Sequence, residues 1–235
     1  MAGCTTGGND GAGVTTSRIS SIPGPTTAAP PTDPTTIALP HSTATSTPPT
    51  FASSIRAVTA EDLFASWRSG CPVGVESLRA IDVTHWGYDG LSRQGTLVVA
   101  ADVADDIVEI MRTLFEVGFP IERMDPVDVF DGDDDASMAA NNTSAFNCRA
   151  VTGGSSWSEH SYGVAIDINP LVNPYVRQDL VLPPGGALFV DRTSDAPGMI
   201  KDGDVVVDTF AAHGWIWGGS WSSPRDYQHF STTGR

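Results

Sequence analysis

From residue 56 onward, apolar and polar positions alternate in two distinct rhythms. Val103, Ile107, Ile110, Met111 and Leu114 recur at three- and four-residue spacing, the period of one helix face. The spacing predicts a helix from Asp102 to Val117, stopped by Gly118. A second helix is expected from Asp204 to His213, stopped by Gly214. A shorter one starts at Thr59, an N-cap residue followed by Glu61 and Asp62 in the first turn. Strand-like runs cover residues 95–100, 119–124, 145–151, 163–168, 215–217 and 227–230, while residues 171–200 read as loop around Pro183-Pro184-Gly185-Gly186. Strands and helices mix without a regular βαβ repeat. The expected class is therefore α+β, a small antiparallel sheet with helices packed on one side.

The first 55 residues break the pattern. They are rich in Thr, Pro, Ser, Ala and Gly with few large apolar residues, so burial there cannot offset chain entropy and a disordered tether is expected. Residues 56–235 are left as one folded domain. They carry 12 of the 13 Lys and Arg and 26 of the 28 Asp and Glu, within a net charge of −15. Such a surface repels phosphate backbones, and no basic stripe relieves it, so a nucleic-acid partner is not expected. No apolar run is long enough to span a bilayer. Contact with a membrane would come only through the tether, where Met-Ala-Gly-Cys4 is similar to the end of a bacterial lipoprotein signal. Lipidation of Cys4 is the expectation, with the Thr/Pro/Ser-rich stretch as a spacer. The domain is expected to sit in the cell envelope, outside the cytoplasm, as a monomer. Cys71 and Cys148 either close a long loop as a disulfide or stay as two buried thiols.

The acidic run Asp131-Gly-Asp-Asp-Asp135 lacks the spacing and closing glutamate of a calcium loop. Its carboxylates instead suit the start of a short helix through Ala140. His213, just before Gly214, suits a helix C-terminus; His85 reads as a packed strand residue and Trp215 as core.

The chemistry concentrates in Ser158-Glu-His-Ser-Tyr-Gly-Val-Ala-Ile-Asp-Ile-Asn-Pro170. In one straight strand His160 and Asp167 would lie about 23 Å apart on opposite faces. They meet only if the chain turns, and Gly163 is the natural turning point. Beyond it, Val164, Ile166 and Ile168 point one way, and Ala165, Asp167 and Asn169 the other. A catalytic zinc takes about three protein ligands from His and carboxylate, with an open position for water. His160 and Asp167 offer two. Asp226-Tyr-Gln-His229 offers the third through His229 and adds a nearby carboxylate. A regular strand would turn Asp226 and His229 to opposite faces, so a loop or bulge is required between them.

Three separated motifs occur in order: SxHxxGxAxDxNP at 158–170, GWxWGGxW at 214–221 and DxxHF at 226–230. Together the region of residues 85–231 resembles the zinc D-alanyl-D-alanine carboxypeptidases and L-alanyl-D-glutamate endopeptidases of bacterial walls and phage lysins. The resemblance implies an α+β fold shared with lysostaphin-type peptidases and the Hedgehog signalling domain. It implies Zn2+ on His160, Asp167 and His229, Asp226 as general base, and Arg149 as the group that steadies the substrate carbonyl. An aspartate at the base position leans toward the endopeptidase branch. Substrates would be peptidoglycan stem peptides, cut at L-Ala–D-Glu or at the terminal D-Ala–D-Ala. Ser158, Trp217 and Trp221 are the candidate cleft-lining residues. The rival reading keeps the zinc for stability alone, in a wall-binding module without catalysis.

Overall fold

The computed structural model describes residues 49–235. Cys4 and nearly all of the expected tether lie outside those residues. The expected domain start at residue 56 falls inside a strand, β1 (Ser53–Ala57). This strand edges a three-stranded antiparallel sheet in the order β1, β2 (Leu78–Trp86), β3 (Ser92–Ala100). β2 has no counterpart in the sequence pattern, because Arg79, Asp82 and Thr84 interrupt its apolar run.

The sheet is covered on both faces, and strand periodicity sorts its side chains. Ile81 pairs with Leu97 across the register. With Val83 and Val99 they join the main core, packed with Ile107, Ile110, Met111 and Leu114 of helix α1 (Ala104–Glu116). Ala80 pairs with Val98; these two face a smaller cluster with Leu63, Leu78, Phe146 and Cys148. Cys71 and Cys148 are joined in a disulfide at the border of that cluster, so the thiol alternative is excluded.

The run starting at Thr59 forms successive turns rather than a helix. Its cap chemistry is present: Thr59 Oγ1 accepts from Asp62 N–H, and the Asp62 carboxylate accepts from Thr59. Tertiary bonds override its propensity, because buried Asp128 accepts from the N–H groups of Ala65 and Ser66 and from Ser66 Oγ.

The second part of the described chain is built from shorter pieces. β4 (Arg123–Met124) runs parallel to β5 (Asn142–Thr143), on either side of helix α2 (Asp134–Ala139). Residues 145–151, expected as a strand, run as irregular chain with a single bridge from Ala150 to Trp157. β6 (Ala165–Asp167) starts a second three-stranded sheet. The supposed loop 171–200 contains a hairpin of β7 (Tyr175–Arg177) and β8 (Leu180–Leu182). Arg192 holds that region together by donating to the carbonyls of Val172, Phe189 and Ile200 and to Asn173 Oδ1. α3 (Val205–Ala212) follows, ended by His213, which lies 3.2 Å from Asp106 of α1. Then come β9 (Ile216–Trp217), β10 (Arg225–Asp226) and β11 (His229–Ser231). The architecture is α+β as expected, with several small sheets in place of one. Among the described residues no helix is long and apolar enough to cross a membrane.

Candidate metal centre and catalytic cleft

Gly163 makes the turn that its sequence position suggests. Ser158 Oγ accepts from His160 N–H and caps a single 3-10 turn, Glu159–Tyr162. Gly163 closes that turn with φ of 72° in the left-handed region. A Cβ there would sit 2.5 Å from Ala100 N, whose N–H donates to Gly163 O at 2.8 Å. The turn is thus sewn directly to the end of β3, and His160 is brought back toward β6.

The second sheet runs in the order β6, β11, β9. Ile166 pairs with Phe230, and Phe230 with Trp217. These three side chains share the core face. One residue on, Asp167 pairs with His229 on the opposite face. Register alone therefore corrects one expectation: Trp217 does not line the cleft. It is 6% exposed, stacks on Phe230 and donates its indole N–H to Tyr227 O. Trp221 does line the cleft, with its ring centroid 5.6 Å from that of His229. Ser158 also borders it, but its hydroxyl is occupied as a cap.

Three donor residues converge. His160 Nε2 lies 3.2 Å from His229 Nδ1 and 3.2 Å from Asp167 Oδ2, while His229 Nδ1 lies 3.0 Å from Asp167 Oδ1. All three residues are buried. A tetrahedral ion with bonds of about 2.0–2.1 Å spaces its ligands about 3.3 Å apart, so the cluster has the right size for zinc. The other ring nitrogens are engaged outward: His160 Nδ1 donates to Ala145 O at 2.6 Å, and His229 Nε2 to Arg235 O at 2.8 Å. Those main-chain oxygens turn the remaining lone pairs of the two rings toward each other and toward a carboxylate. Such an arrangement needs a cation at its centre, either a metal or a proton. Without a metal, the proton wins. Burial opposes charge on His229, but the Asp167 hydrogen bond and charge outweigh it and raise its pKa to about 9. Burial would raise the Asp167 carboxyl too, yet the two imidazoles hold it well below the usual range.

Asp226 joins the same cavity by a change of sheet. In β10 it pairs with Tyr175 of β7. The chain then bends at Tyr227 and Gln228 before re-entering a sheet at His229. Tyr227 N–H donates to Pro174 O and Ile168 N–H to Gln228 O, which fixes that bend. Asp226 and His229 can therefore face one cleft, which a regular strand forbids. Gly218 permits the fit, since a Cβ there would lie 2.7 Å from Asp226 O and 3.3 Å from His229 Cβ. Asp226 Oδ1 is buried without a hydrogen-bond partner among the described residues. Burial pushes the carboxyl up to about 6, aided by the Asp167 charge and opposed by His229.

Residues 152–232 match the model of a family described as D-alanyl-D-alanine carboxypeptidase. The match spans His160, Asp167, Asp226 and His229 and bears out the resemblance carried by the three motifs. It supports a peptidase of the D-alanyl-D-alanine carboxypeptidase kind. No curated protein and no solved structure matches the chain.

Arg149 lies outside the matched span but lines the same cavity of about 940 Å³. Its Nε sits 2.9 Å from Asp134 Oδ1, close enough for an ion pair although off the N–H direction. Several participants escaped the sequence reading. Ala145 and Arg235 act through backbone oxygens, which no side-chain motif records. Asp134 sits in an acidic run whose members look alike. Gly218 was legible only as part of a turn.

Proposed function

We propose that this chain is a zinc-dependent peptidase of peptidoglycan stem peptides, cutting the terminal D-Ala–D-Ala bond or the L-Ala–D-Glu bond. The observation that carries the reading is Asp226 Oδ1, buried and without a hydrogen-bond partner among the described residues, in the same cavity as the His160, Asp167 and His229 donors. A metal site kept only for stability has no use for such a carboxylate, and leaving it orphaned costs free energy. That counts against the non-catalytic wall-binding alternative.

Zinc, when bound, acts as a Lewis acid and makes water a nucleophile near neutral pH. The chain supplies the rest. Asp226, with its affinity for protons raised by burial, takes a proton from the attacking water and returns it to the leaving amine. Arg149 offers positive charge to the carbonyl oxygen as negative charge grows there. Trp221 presents an aromatic wall beside His229. The Cys71–Cys148 disulfide fits an oxidising compartment and supports a location outside the cytoplasm. Anchoring through a lipid on Cys4, and action as a monomer, belong to the same proposal and rest on the sequence.

Purified metal-loaded protein incubated with muropeptides should release free D-Ala or new D-Glu amino termini, detected by mass spectrometry, and a chelator should stop it. Asp226→Asn should keep the metal and lower kcat about 10²- to 10⁴-fold. Undiminished turnover in that variant would remove Asp226 from the mechanism. No product from any stem peptide would remove the enzyme reading altogether.

A further inference from the structure

The three consecutive aspartates 133–135 look interchangeable as helix-start charges, and the structure gives them different jobs. Asp133 caps α2 by accepting from Ala136 N–H at 3.0 Å. Asp135 is exposed, with no side-chain hydrogen bond or ion pair among the described residues. Asp134 turns into the cleft. Its Oδ1 lies 2.9 Å from Arg149 Nε and 3.4 Å from Asn147 Nδ2, and both aspartate and arginine are about three-quarters buried at 24% and 23% side-chain exposure.

We propose that Asp134 is the positioning residue for Arg149, anchoring its Nε edge so that the free end of the guanidinium addresses the substrate carbonyl. The proposal rests on the peptidase reading above. Asn147 and Arg149 flank a tight turn in which Arg149 N–H donates to Asn147 O at 2.9 Å, and both side chains reach Asp134 Oδ1, while Phe146 and Cys148 enter the small core. The main chain at Arg149 is fixed by Ser161 Oγ, which accepts from its N–H and donates to its carbonyl. Those bonds do not fix the long side chain. Its Nη1 makes only a 3.3 Å contact with Ala150 O, and Nη2 has no acceptor among the described residues. Asp134 is therefore the one charged partner among the described residues that restrains the guanidinium, and Nη2 is a donor left for a ligand oxygen. An unrestrained arginine would have to be ordered at each turnover, with entropy lost in the transition state.

The test compares Asp134→Asn, Asp135→Asn, Arg149→Ala and the double variant Asp134→Asn/Arg149→Ala, all metal-loaded, on one muropeptide. Asp134→Asn should lower kcat about 10- to 100-fold. KM for an anionic stem should stay level or fall, because a negative charge leaves the cleft. Asp135→Asn loses the same helix-start charge and should match the parent, which separates positioning from helix stability. In the Arg149→Ala background, Asp134→Asn should change kcat by less than about twofold, since coupled residues are not additive. Equal losses in Asp134→Asn and Asp135→Asn, or an undiminished Asp134 effect without Arg149, would overturn the proposal while the peptidase reading stands. An inactive parent chain would fail the peptidase reading itself and take this inference with it.

Discussion

The sheet of β1–β3 with α1, and the region from β5 to β11, are built by different means. β2 and β3 each run nine residues and α1 thirteen, whereas β6 and β11 have three residues and β9 and β10 two. In the first region, regular periodicity sorts apolar side chains into two cores. In the second, single polar side chains pin the chain: Asn169 donates to Pro120 O and Gly198 O and accepts from Glu122 N–H, while Asn173 and Arg192 tie down residues 172–200. The contrast follows from the chemistry. In the proposed peptidase three metal donors and a base would aim at one point from four places in the sequence, and long regular elements cannot bend sharply enough to do so. The first region supplies rigidity, and the second spends regularity to obtain convergence.

If that division is right, the heaviest blow to function comes from the second region with little cost to the first. His160→Ala removes one of three donors. Losing a single preorganised electrostatic group commonly costs about 10²–10³-fold, so losing the metal's whole contribution should take turnover below about one thousandth. Metal content should fall well below one per chain, and far-ultraviolet circular dichroism should stay that of the parent. A variant with full zinc occupancy would show that a fourth, unrecognised ligand holds the ion.

The converse variant is Ile110→Ala. Ile110 is fully buried against the sheet in the main core. A large-to-small change there should cost about 2–5 kcal/mol in denaturant unfolding, while kcat per folded molecule stays near the parent value. Equal damage to kcat at temperatures well below the transition would show that the two regions are not separable in this way.

Legibility in the sequence tracks the same divide, with one exchange. α1 was readable because helical period needs no tertiary information. β2 was not, because its charged positions reach solvent at the sheet surface and blur the alternation. In the second region the elements were poorly readable: residues 145–151 are not a strand, residues 171–200 are not merely loop, and the final strand starts at His229 rather than Tyr227. The convergence of His160, Asp167 and His229 was nonetheless legible, because ligand chemistry restricts residue type more tightly than strand formation does. Trp217 was misplaced because composition cannot tell which face of β9 looks inward; the pairing with Phe230 decides it. The oxygens of Ala145 and Arg235 were invisible because any residue carries a main-chain oxygen.

Gly163 joins the two regions and should show intermediate behaviour. Gly163→Ala places a Cβ against the Ala100 backbone at a left-handed φ. The strain should cost about 1–3 kcal/mol. Because His160 lies in the same turn, metal affinity should weaken as well, read by competition with a chelator. A stability loss with unchanged metal affinity would mean that β6 and β11, not the Gly163 turn, set the position of His160.

The smallest effect is a pH dependence confined to the second region. In the metal-free centre, a proton on His229 Nδ1 faces Asp167 and is held with a pKa of about 9. A metal must displace that proton to use the same nitrogen. Below about 9 the proton competes, so apparent affinity should fall about tenfold for each unit of pH lost, or about 1.4 kcal/mol per unit. Above about 9 the dependence on His229 should level off. Chelator competition at pH 6, 7, 8 and 9.5 measures the slope. His229→Gln should flatten it while lowering affinity throughout. A flat profile in the parent would mean that Nδ1 carries no proton to displace, and that the Asp167 carboxylate faces the two rings without the charge compensation inferred from their geometry.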